Sequence, residues 1–252
     1  MPDTDDTASS TPWTFVPLNE VEEIAASIPD EAADSSLQAD CVVIYSTLLL
    51  HRSVEGHVGA GKLLEAWTPL WCITTKRRNR GIRHLADAGI IELRHNGWGV
   101  PAAVTDVPTS AGVPHNEKPT RRARLSLPSL VAALQARPGR SATRQAAVYI
   151  AILLHVGEAG AFPSRATIGR LVGVTERTVN DALKALEAAS IIHRKARYRV
   201  ASQADGTSRT LRTSSLYDVL DIKDTQQAES HGLGWACTRD YEALCNHAYH
   251  AS

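Results

Sequence analysis

No apolar run in the sequence approaches the roughly 20 residues that a membrane span needs. Its start, Met1 to Ser10, is acidic and polar, which excludes a secretory signal. Both absences predict a soluble, cytoplasmic protein with no membrane partner. Cysteine is scarce: Cys41, Cys72, Cys237 and Cys245 sit at spacings that suggest no disulfide framework. Residues 1–40 contain no Lys or Arg but hold ten Asp or Glu. All 27 basic side chains therefore lie in the remainder, against 17 acidic ones, so a formal charge of zero hides an acidic arm on a body of +10. Such a body suits a polyanionic partner. Arginine supplies 21 of the 27 cations; it suits phosphate and base-edge contacts, although an Arg- and Ala-rich composition can also reflect a GC-rich genome.

What is present is ordinary globular composition, 43% hydrophobic and 21% charged, in 252 residues. That length fits one large domain or two small ones. An internal repeat favours two. Ile44-Tyr45 and Leu49-Leu50-His51 recur as Val148-Tyr149 and Leu153-Leu154-His155. Further on, Leu70, Ile73, Thr74, Asn79, Ile82, Leu85, Ala88, Ile90 and Ile91 answer Leu171, Val174, Thr175, Asn180, Leu183, Leu186, Ala189, Ile191 and Ile192. Leu18 to Pro29 likewise resembles Leu127 to Pro138.

The second copy is the more regular. Ala142 to Val156 reads as a helix with an apolar face at Ala146, Ile150, Leu153 and Leu154. A loop from Gly157 to Pro163 follows, then Ser164 as N-cap of a short helix carrying Ile168, Leu171 and Val172. Gly173 can take the left-handed conformation that ends a helix. Thr175 then caps a helix whose inner face is Val179, Leu183 and Leu186. Ile191 to Val200 and Arg209 to Val219 read as strands around Ala204-Asp205-Gly206-Thr207.

Phe162-Pro163-Ser164 through Ile192, with Gly173-Val174-Thr175 and Arg177-Thr178-Val179 at its centre, resembles the winged helix-turn-helix family of bacterial transcriptional regulators and plasmid replication proteins. The resemblance covers roughly 142–220 and extends more weakly to 40–101. It implies a mainly α protein with small β-hairpin wings, in two tandem winged helix-turn-helix domains. The boundaries expected are an acidic disordered arm (1–16), a first, degenerate domain (17–101), a linker (102–124), a second domain (125–222) and a C-terminal tail (223–252). The first copy departs from the pattern. Arg78 stands where the second copy has Val179, Gly81 interrupts the helix at a cost of about 1 kcal/mol against alanine, and Trp71-Cys72 replaces the glycine of the turn. Its wing, Glu92 to Val100, is short, and the copy could serve packing or homodimerisation instead of DNA.

In a helix-turn-helix unit the second helix enters the major groove with its N-terminal part at base edges. The outward face expected in the second copy is Thr175, Glu176, Arg177, Thr178, Asn180, Asp181 and Lys184; in the first it is Thr75, Lys76, Arg77, Asn79, Arg80 and Arg83. Arg can take guanine bidentately, Asn adenine, and Thr a phosphate. The hairpin adds Arg194, Lys195, Arg197, Arg199, Arg209 and Arg212 as backbone contacts. The basic run Lys118 to Arg124 reads as solvated linker. Asn19, followed by Glu22 and an apolar stripe at Val21, Ile24, Ala25 and Ile28, predicts a capped helix beside the first copy.

Two motifs point elsewhere. Gly56 to Leu63 nearly matches a phosphate-binding loop, but Leu63 stands where magnesium needs a hydroxyl, and no apolar strand ending in Asp follows. Nucleotide hydrolysis is the enzymatic alternative, and its catalytic dependence would fall on Lys62. His231, Cys237, Cys245, His247 and His250 match no common zinc module. The sequence thus predicts no catalytic residue, no cofactor and no metal. It predicts a double-stranded DNA-binding protein, used as a transcriptional regulator or, alternatively, as a replication initiator or partition protein of a plasmid or phage-like element.

Overall fold

The computed structural model describes residues 13–29, 36–51, 60–95, 101–106, 121–157, 160–202, 208–212 and 215–219. The first half runs β1 (Trp13–Pro17), α1 (Leu18–Ser27), α2 (Leu37–Leu50), α3 (Ala60–Trp71), α4 (Thr75–Asp87), β2 (Glu92–His95) and β3 (Pro101–Asp106). The second runs β4 (Arg122–Ser126), α5 (Leu127–Gln135), α6 (Ala142–Leu153), the two-residue strands β5 (Val156–Gly157) and β6 (Gly160–Ala161), α7 (Arg165–Val172) and α8 (Glu176–Ala188). It closes with β7 (Ile192–Lys195), β8 (Tyr198–Ser202), β9 (Ser208–Arg212) and β10 (Leu216–Val219). The molecule is mainly helical, with small antiparallel strand pairs. No helix among the described residues is long and apolar enough to cross a membrane.

The halves interlock element by element. β1 pairs antiparallel with β4, α2 packs on α6, α1 on α7 and α3 on α5. In the β1–β4 ladder Phe15 faces Arg124, its own counterpart at the spacing that relates Leu18 to Leu127. Trp13 faces Ser126 and Pro17 faces Arg122, so exchanging the copies maps the ladder onto itself. A local two-fold axis therefore passes through this ribbon.

That packing explains why α2 and α6 are more apolar than a surface helix. Every residue of α2 is buried, and α6 is buried on all sides through Ile152, beyond the single face at Ala146, Ile150, Leu153 and Leu154. Each helix is covered by its own half on one side and by the other half elsewhere. Three buried polar groups of α2 are satisfied within the first half: Ser46 and Thr47 donate to the Val42 and Val43 carbonyls at 2.8 Å, and the Tyr45 hydroxyl donates to Glu20. Such pairing is what burial requires.

Several expectations change. Residues 13–16, placed in a disordered arm, belong to β1, where Val16 is fully buried. The expected linker contributes β3, which lengthens the first hairpin, and most of β4. In β4 the alternation of buried Ala123 and Leu125 with exposed Arg122 and Arg124 is a strand period that the run of charge obscures. The Asn19 capping box does not form. α1 starts at Leu18, whose N–H donates to the Arg121 carbonyl at 2.8 Å and so needs no cap; Asn19 Oδ1 is buried without a partner. The expected wing of the second half is divided. β7 and β10 join β6 and β5 in one sheet, while β8 and β9 form a separate hairpin.

Candidate nucleic-acid interface

The two α–turn–α corners share their backbone. Gly173 ends α7 at φ 66°, and its counterpart Cys72 after α3 has φ 51°. Thr175 Oγ1 caps α8 by accepting from Thr178 N at 3.3 Å; Thr74 Oγ1 caps α4 by accepting from Arg77 N at 3.3 Å. After the second helix of each corner, Gly89 (φ 73°) and Ser190 (φ 55°) turn the chain into its hairpin. Three local conformations thus recur at one sequence spacing, although the residue type differs at two of them. The glycine of one copy shows what the other copy's backbone requires.

The corners lie on either side of the α2–α6 contact. Gln38, in the first turn of α2, donates from Nε2 to the Arg170 carbonyl at 2.8 Å and lies against Gly173, where a Cβ would come within 2.5 Å of its Oε1. Asp40, one of the most buried polar residues, accepts from Arg77 on α4 and from Thr143 on α6. Arg77 donates from Nε at 3.0 Å and from Nη2 to both carboxylate oxygens at 2.8 Å; Thr143 Oγ1 donates at 2.7 Å. Charge-assisted, two-pronged bonds of this kind are strong and directional. Arg77 is therefore a strut that fixes α4 against both halves. The signal for this role in the sequence is Asp40, the one charged residue of its helix.

On α4, Thr75, Lys76, Asn79, Arg80 and Arg83 are exposed. Arg78 is half-buried and donates from Nη1 to Thr68 Oγ1 at 3.1 Å, so the position that holds buried Val179 in the second half becomes a polar contact. Gly81 fits because a Cβ there would come within 2.8 Å of Ile44 Cδ1: α4 sits close on α2. Cys41, beside Gly81, has its thiol pKa pushed far up by burial and then by the Asp40 charge, which leaves it a poor nucleophile. The helix carries five cations against one acid, Asp87.

On α8, Val179, Ala182, Leu183, Ala185 and Leu186 face inward. Thr175, Glu176, Arg177, Asp181 and Lys184 are exposed, and Thr178 and Asn180 half-buried. The Thr178 hydroxyl lies 3.1 Å from that of Thr175, within the cap. With Glu176, Asp181 and Glu187 against Arg177 and Lys184, α8 is net acidic. The hairpin cations are largely engaged: Arg194 with Glu187 at 2.9 Å, Lys195 with Asp218 at 2.6 Å, and Arg197 over the Phe162 ring at 4.3 Å. Arg197 lies in the break between β7 and β8, so it shares no strand with Arg199. Lys195 is opposite Leu216 and Arg209 opposite Ala201, so the two do not meet in register. The side chains of Arg199, Arg209 and Arg212 lie outside the described residues, as do Gly56 to Gly59 and the Cys/His-containing tail. Lys62 falls in the first turn of α3, and the element before that segment is the helix α2. No cluster of His, Cys, Asp or Glu among the described residues could hold a metal.

Comparison with protein-family models, with curated proteins and with solved structures finds no match.

Proposed function

We propose that the chain is a non-enzymatic, double-stranded DNA-binding protein built from two tandem winged helix-turn-helix units. The observation that carries this reading is the pair of corners with one backbone, each delivering a Thr-capped helix beside the α2–α6 contact. In such a unit the capped helix enters the major groove and the hairpin lies along the phosphates. The two helices divide the work unequally. The face of α4 (Lys76, Arg80 and Arg83) supplies the attraction to phosphate, while Arg177 and Asn180 on the acidic α8 read base edges and Glu176 and Asp181 repel wrong sites. Exact placement of α4 comes from Asp40 through Arg77.

A transcriptional regulator is the use proposed. The ladder that joins both units within one chain also favours a replication initiator or partition protein, because a single chain would then carry two reading heads without dimerising. Selection of bound duplex from a random library by the full chain tests the reading. An enriched motif supports it, and its place in the genome, in a promoter or in repeats beside an origin, separates the two uses. Failure to enrich any motif, or ATP hydrolysis lost in Lys62→Ala, contradicts it.

A further inference from the structure

The β1–β4 ribbon carries an outer face that neither corner uses. Trp13 is 49% exposed and Phe15 46%; among the described residues only Val156 is a comparably exposed large apolar side chain. Their rings meet edge to face, 5.2 Å apart at 82°, and the Arg124 guanidinium lies 4.9 Å over the Trp13 ring. Arg122 is exposed on the same face of β4 as Arg124, and neither strand contains an acidic residue. The inner face (Val16, Ala123 and Leu125) is buried, and the ribbon packs on α2 and α6, so the outward aromatics are not needed for the core. Five residue pairs make the ribbon about 17 Å long.

Two adjacent aromatics beside guanidinium groups, on strands that carry no acidic side chain, form a stacking platform with cations at hand. Sequence-tolerant binding of single strands uses this combination, with bases on rings and phosphates on cations. A duplex offers the platform little, because paired bases keep their faces inside the stack. A protein partner would find two aromatics and two arginines, far short of the roughly 1,000 Å² that a stable interface buries. We infer that the outer face of the β1–β4 ribbon binds unpaired nucleic acid, with bases stacking on Trp13 and Phe15 and phosphates held by Arg122 and Arg124. The site is separate from the α4 and α8 faces and does not depend on their role.

The test is fluorescence anisotropy of the full chain with a short labelled oligothymidylate and, in parallel, with a duplex, across a salt series. The native chain should bind the single strand with a log–log salt slope near −1.4, about 0.7 for each of two phosphates. Trp13→Ala with Phe15→Ala should weaken that binding at least tenfold, the scale of one lost stacking contact; Trp13→Phe should largely preserve it. Arg122→Ala and Arg124→Ala should each lower the slope by about 0.7. Duplex binding should stay within about twofold throughout, since these side chains lie off the duplex-reading helices. The inference fails if the native chain ignores the single strand, including a case where the aromatic variants change only its self-association in sedimentation. It also fails if the double variant binds the single strand normally while melting like the native chain, or if duplex and single-strand binding fall together. Loss of duplex binding in Lys76→Ala and Arg80→Ala variants is read separately, so the two proposals stand or fall independently.

Discussion

At Gly173 a side chain meets two obstacles at once. The backbone is left-handed at φ 66°, and a Cβ would lie 2.5 Å from Gln38 Oε1 and 2.6 Å from Gln38 Cβ. Gly173→Ala should therefore lose about 2–4 kcal/mol, combining the left-handed penalty with overpacking. Ser190 is the opposite case, an exposed residue held at φ 55° where the first copy has Gly89. Ser190→Gly should gain about 0.5–1 kcal/mol, the left-handed penalty less the extra chain entropy of glycine. Urea unfolding of both variants checks the pair; a loss at Ser190→Gly would show that the repeat does not extend to this turn. Asp40 belongs at this scale too. Asp40→Ala strands Arg77 and Thr143 together, and should cost about 2–3 kcal/mol, below the range for fully buried pairs because Arg77 is 26% exposed. Asp40 does not stand out in the sequence as functional, since a lone acid on an apolar helix does not reveal which arginine it meets.

At the scale of elements, capped helices are legible in the sequence because their signals are local. Ser164, Gly173 and Thr175 each do what their chemistry dictates, and Val179, Leu183 and Leu186 face inward. Elements whose reason is distant are not legible. β1 and β4 exist because they pair with each other across more than a hundred residues, and the charges on β4 hide its alternation. Ala142 to Val156 reads as a one-faced helix because the second face of α6 is covered by the other half. Of the expected outward positions on α4 and α8, Arg77, Thr178 and Asn180 are half-buried and the rest exposed, and the sequence does not show that Arg77, Arg194, Lys195 and Arg197 are engaged within the protein. This division predicts different phenotypes for neighbouring residues of α4. Lys76→Ala and Arg83→Ala should leave thermal stability within about 0.5 kcal/mol and each lower the duplex salt slope by about 0.9. Arg77→Ala should destabilise the fold as well. On α8, Arg177→Ala and Asn180→Ala should each cost about 1–3 kcal/mol at a preferred site and little on scrambled DNA. Equal losses on both DNAs would assign α8 to phosphate contact.

At the scale of the whole molecule, the two halves form an intrachain pair about the β1–β4 ribbon, tied by Asp40 and Gln38 at the feet of both corners. One chain then holds two capped helices in a fixed relation, and on DNA it should sediment as one chain per site and protect adjacent major-groove segments. A palindromic footprint with two chains would instead assign the first half to dimerisation. The central claim, that these corners present α4 and α8 to duplex DNA, is tested most directly by titrating the full chain against a duplex selected from a random library, with the native protein and a Lys76→Ala, Arg80→Ala, Arg83→Ala triple variant, over a range of salt. Saturable binding by the native chain is expected, with a slope shallower by about 2.7 in the variant, from 0.9 per lost phosphate contact. Native and variant chains that bind with the same slope, or a native chain that selects no duplex at all, would contradict it.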